Sequence, residues 1–133
     1  MRATLLEVAK AIQYIHSLGP VLGYEFYASD IYLDSDNHVK FLYPCFRLKD
    51  LCKGRVEYDG FGKVTSEDDI RNFGLLVYEV IFSKRSGEAR PSEPEIPDNI
   101  WELIQWCCAS DPKKRPTIDQ VVHEMESWIL LGQ

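Results

Sequence analysis

Ser110-Asp111-Pro112-Lys113-Lys114-Arg115-Pro116-Thr117 is the stretch of the 133-residue chain that orders everything around it. Proline has no amide donor and pushes the residue before it out of the helical region, so Asp111-Pro112 ends a helix. Thr117 with Gln120 three residues later is a capping box, and it opens another. That last helix carries Val121, Val122, Met125, Trp128 and Ile129 at apolar helical spacing. Two helices therefore meet at a short, basic, proline-punctuated junction.

Working outward, Asp98 is predicted to cap the helix before the junction, which runs to about Ala109 with Ile100, Leu103, Ile104 and Cys107 on one face. Residues 83–97 read as a linker rich in Pro, Glu and Arg. Upstream of it, Ser66 with Asp69 reads as a capping box. The helix it opens is apolar on nearly every side through Phe73-Gly74-Leu75-Leu76-Val77 and Val80-Ile81-Phe82, which predicts a buried central helix over residues 70–82. Residues 43–65 lose all periodicity, contain three glycines and read as a long surface loop. Asp34-Ser35-Asp36-Asn37 sits between two extended pieces, 31–33 and 39–42, and predicts a small hairpin. Residues 4–18 form an amphipathic helix through Leu5, Val8, Ala9, Ile12 and Ile15, stopped by Gly19-Pro20. The fold class is mainly α with a small β-hairpin, in one unit over residues 1–133.

The composition narrows the function. Hydrophobic residues make up 45% and charged residues 27%, enough for a core and an ordinary surface. A net charge of −6 argues against a nucleic-acid or acidic-membrane partner. No run of about 18 apolar residues exists to span a membrane, and the N-terminus lacks a signal-peptide core. Cys45, Cys52, Cys107 and Cys108 show neither CxxC nor Cys/His zinc spacing, which predicts reduced thiols, a cytoplasmic location and no metal site. His16, His38 and His123 adjoin no nucleophile motif and read as surface or helix-end residues.

The order of these pieces resembles the large, C-terminal lobe of a protein kinase. Ser110 to Thr117 resembles the D-P-x-x-R-P-[ST] junction of that family. Asp69-Ile70-Arg71-Asn72-Phe73-Gly74 resembles D-V-[WY]-S-F-G at the start of the buried central helix. Ile31 to Lys40 is similar to the hairpin after the catalytic loop, and Trp106-Cys107 is similar to the tyrosine-kinase and tyrosine-kinase-like groups. The small lobe, with its G-x-G-x-x-G loop, strand lysine and helix glutamate, has no counterpart in the sequence.

The resemblance implies roles position by position. Kinases use H-R-D-x-x-x-x-N, in which Asp accepts a proton and Asn holds magnesium. The matching segment runs from Gly23 to Asp30, with Glu25 at the Asp and Asp30 at the Asn. Both keep an oxygen, but Glu25 is one methylene longer, and such a misplacement costs about a hundredfold. The metal-binding Asp of D-F-G falls on Tyr43, a neutral phenol that magnesium does not favour. Asp59-Gly60-Phe61-Gly62 is a glycine-rich turn rather than D-F-G. By the same resemblance Asp69 hydrogen-bonds catalytic-loop amides, and Arg115 pairs with Glu57 of an eroded A-P-E segment.

These departures lead to the expectation of a pseudokinase-type lobe, not an enzyme and without a cofactor, acting as an interaction or regulatory module. The alternative is half of a kinase, competent only when a small lobe is supplied. The expected partner is another protein, a kinase or a second copy of the chain. The expected contact face is the one a small lobe would cover, with Leu22, Phe26, Tyr43 and Phe46 as apolar anchors.

Overall fold

The computed structural model describes residues 2–19, 21–23, 27–36, 38–41, 57–58, 62–63, 65–85 and 89–130. Four helices dominate: α1 (Arg2–Ser17), α2 (Ser66–Phe82), α3 (Asp98–Cys107) and α4 (Ile118–Leu130). Between α1 and α2 lie a 3₁₀ turn at Ala28–Asp30 and two separate antiparallel strand pairs. In the first, β1 (Ile31–Leu33) pairs with β2 (Val39–Phe41), Tyr32 opposite Lys40. In the second, β3 (Glu57–Tyr58) pairs with β4 (Gly62–Lys63). That second pair corrects the expectation that residues 43–65 hold no regular structure. Two-residue strands are too short to leave a periodic signal.

α1 packs on α4 and α2 on α3, while α1 also touches α2 and β2. The core is one cluster drawn from all four helices. Its axis is α2: between Ile70 and Phe82 Arg71 alone is exposed. Glycine at position 74 lets α3 come close. A Cβ there would stand 2.7 Å from Cys107 Cβ and 2.8 Å from Cys108 Sγ. Both thiols are free, Cys107 buried and Cys108 half-buried, and burial pushes both thiols above the usual range. Cys45 and Cys52 lie outside the described residues. No helix among the described residues is long and apolar enough to cross a membrane.

The cap of α2 sits one residue earlier than the sequence suggests. Thr65 is extended, and its amide donates to Asp68 Oδ2 at 2.9 Å, with its hydroxyl on the same oxygen at 3.2 Å. Ser66 is already helical, so Asp69 is released from capping and turns inward. Asp98 likewise is the first helical residue rather than the cap, and its carboxylate takes Arg90 Nη1 at 2.8 Å. The Thr117–Gln120 box is present in both directions, at 2.8 and 3.2 Å. In α4 the inward stripe is Ile118, Val121, Val122, Met125 and Trp128. Ile129 was expected on that face but is 46% exposed, because one further residue turns it about 100° away.

Candidate functional site

Asp69 lies on the first turn of α2 and is fully buried. A buried carboxylate is tolerated only when hydrogen bonds replace its water. Three donors do so here. The Leu22 amide reaches Oδ2 at 2.7 Å, the Gly23 amide reaches Oδ1 at 2.9 Å, and His16 Nε2 reaches Oδ2 at 2.8 Å. An ionised carboxylate only accepts, so His16 carries a proton on Nε2. Gly23 has φ +78°, a left-handed conformation that costs a side-chain-bearing residue strain. The chain thus turns at Gly23 while its amide is held from below.

Residues 27–30 are held in the same way. The Ala28 amide donates to Glu79 Oε1 at 2.9 Å. That oxygen also takes Arg85 Nη1 at 3.2 Å, and the Arg85 guanidinium lies over the Tyr27 ring at 4.2 Å from its centre. Asp30 closes the 3₁₀ turn by accepting the Tyr27 amide on Oδ2 at 2.8 Å. Asp69 and Glu79 are ten residues apart on one helix, about 15 Å along its axis. Residues 21–23 and residues 27–30 are therefore each fastened to α2 by one of its carboxylates.

The residues singled out from sequence separate as follows. Asp69, Asp30 and Leu22 are described, and Asp69 and Leu22 meet directly. Leu22 is 3% exposed, which corrects its assignment to an uncovered patch: its side chain joins the core because its amide is drawn onto Asp69. Glu25, Phe26, Tyr43 and Phe46 lie outside the described residues. So does the side chain of Glu57, whose backbone pairs with Lys63. Arg115 donates from Nε to Ala109 O at 2.9 Å and from Nη1 to Glu67 O at 3.0 Å, tying the junction to the first turn of α2.

His16 stands in the last turn of α1, the helix-end placement expected of it, but it is not a surface residue, since its side chain is only 12% exposed. It lies one turn after Ile12 on the apolar stripe of α1, and that spacing was the available signal. Glu79 was missed too. A carboxylate interrupting an otherwise apolar central helix is the signal that marks it. Among the described residues no three His, Cys, Asp or Glu side chains group to hold a metal ion. Asp30 alone is an incomplete set for the magnesium that the kinase resemblance implies.

No family model matches the chain. It is 27% identical over 146 residues, covering 88% of the chain, to a probable serine/threonine-protein kinase of Dictyostelium discoideum. It is 30% identical over 100 residues, 63% of the chain, to the dual specificity protein kinase pyk3 of the same organism. It is 26% identical over 82 residues, 49% of the chain, to the proto-oncogene tyrosine-protein kinase ROS of Mus musculus. The matches span only 16%, 7% and 4% of these relatives' own lengths. The chain is protein-kinase-like, with similarity spread across serine/threonine, dual-specificity and tyrosine kinases.

These relatives overturn the expectation that the chain is not an enzyme. They are named as protein kinases, and Glu25 and Tyr43, two of the positions that entered that expectation beside the missing small lobe, lie outside the described residues.

Proposed function

We propose that the chain is the helical large lobe of a protein-kinase-like domain, and that it works by presenting the backbone at 21–23 and 27–30 to a second protein unit, a small lobe of the kinase kind. The supporting observation is the double fastening of that backbone to α2, by Asp69 at Leu22–Gly23 and by Glu79 at Ala28. Backbone amides already bonded to a buried helix, at 22–23 and at 28, have little freedom left to lose on docking. Directly after it, β1 exposes Tyr32 at 50% and Leu33 at 52%, the kind of side chains that anchor interfaces. The test is a fusion of the chain behind the small lobe of one of the kinases it resembles. Calorimetry should show one cooperative transition, which Tyr32→Asp splits into two. Two independent transitions in the unmutated fusion would sink the reading.

A second reading is that the assembled domain transfers phosphate. Asp30 favours it, because a carboxylate, partly exposed, closes the fastened segment. Labelled-ATP transfer to a generic protein substrate by the fusion, abolished in Asp30→Ala, is the expected result. Equal, background-level transfer by both folded proteins would count against it.

A further inference from the structure

At the C-terminal end of α2 a charged group is left short of an acceptor. Ser83, the residue after the helix, is left-handed at φ 59°, and its amide still donates to Glu79 O at 2.9 Å. The chain folds back over the helix end there, and Arg85 comes to lie against both Glu79 and Tyr27. Its Nη1 is bonded to Glu79 Oε1, and its guanidinium face rests on the Tyr27 ring. Nη2 differs: it is buried and has no hydrogen-bond partner among the described residues. Orphaned buried donors are rare in folded proteins, and one on a charged group costs more than a neutral one. The Arg85 side chain is 16% exposed and Tyr27 38%, so the guanidinium lies just beneath the surface rather than in the core.

The local charge decides which acceptor fits. Glu79 neutralises Arg85, but Lys84 beside it is exposed and pairs with no carboxylate among the described residues. One positive charge is left over. A carboxylate brings one negative charge, and its two oxygens match the edge of a guanidinium. A single pair this close to water holds a free ion only weakly. A polypeptide adds contacts that a free ion lacks, the exposed part of the Tyr27 ring being the nearest. We propose that Arg85 is the specificity residue of a peptide site, taking the Asp or Glu side chain of a segment docked beside Tyr27. The site uses the end of α2 and Tyr27 rather than β1, so it stands or falls apart from the docking of a small lobe.

The full chain, labelled with ¹⁵N, is titrated with propionate and, at matched ionic strength, with phosphate and with chloride. Saturable shifts of the Arg85 side-chain N–H signals and of the Ala28 amide are expected with propionate and not with chloride. Lys84→Gln, a change at an exposed position, should weaken propionate about two- to threefold, the effect of removing one nearby solvated charge. A random heptapeptide library selected on the immobilised chain should yield sequences with Asp or Glu at one position. Arg85→Gln should lose that preference while its circular dichroism stays helical. No saturable shift with propionate, or selected sequences that are neutral, overturns the proposal, as does an acidic preference that survives in folded Arg85→Gln. Phosphate binding tighter than propionate overturns the assignment to a carboxylate. If Arg85→Gln fails to fold, Lys84→Gln decides, and an unchanged propionate affinity there counts against the site.

Discussion

Asp69 concentrates more consequence than any other described residue, because three donors depend on it from 46, 47 and 53 positions away. Asp69→Ala strands two buried amides, each costing about 1–3 kcal/mol, and removes the partner of His16. The expected loss is about 3–5 kcal/mol, a large share of the roughly 5–15 kcal/mol that holds a typical domain together. His16→Ala removes one donor to a charged acceptor and should cost about 1.5–3 kcal/mol. Urea denaturation measures both, and an Asp69→Ala cost below that of His16→Ala would contradict the geometry. Asp34 gives a pH-dependent counterpart. The His38 amide bonded to Oδ1 leads the effects that hold its carboxyl below the usual range, with the Asp36 amide on the same oxygen adding to it. A depressed folded-state value means the contribution is present above the unfolded carboxyl range and lost as pH falls through the folded one. The acid limb of a stability–pH curve should therefore flatten in Asp34→Asn, and an unchanged limb would exclude this turn as its source.

Among the elements, the α2–α3 contact turns on Gly74. Alanine in a helix interior ordinarily gains about 1 kcal/mol over glycine. Here the new methyl would meet Cys107 Cβ at 2.7 Å, and that atom is fixed to the α3 backbone. Overpacking of this kind costs about 1–3 kcal/mol, so the clash outweighs the propensity. Gly74→Ala should lower the melting temperature, whereas an unchanged or raised value would mean that α3 can withdraw at no cost. Capping at α2 shows how one residue matters: with Thr65 and not Ser66 outside the helix, Asp69 falls on the inward face of the first turn.

For the molecule as a whole, α2 is the shared wall of the core, touched by α1, α3 and the 3₁₀ turns at Ala28–Asp30 and Pro112–Lys114. Amides in an element buried on all sides open only by global unfolding. In native-state hydrogen exchange, residues 72–78 should be the last to exchange, with protection equal to the global stability. The outer end of α4, where Ile129 and Leu130 are exposed, should exchange much earlier. Earlier exchange in α2 than in α4 would mean that the helices do not form one cooperative unit.

The sequence by itself determined the four helices, the first hairpin and the Thr117–Gln120 box, because apolar period, caps and turn residues act over a few positions. It also marked Asp69 as a residue to watch, through the motif around it. Packing alone decided that His16 reaches Asp69, that Glu79 takes Ala28, and that Leu22 is core rather than surface. These outcomes depend on groups some fifty residues apart in the chain being brought within 3 Å. No local pattern encodes that separation, and a shift of one residue in a helix cap is enough to redirect it.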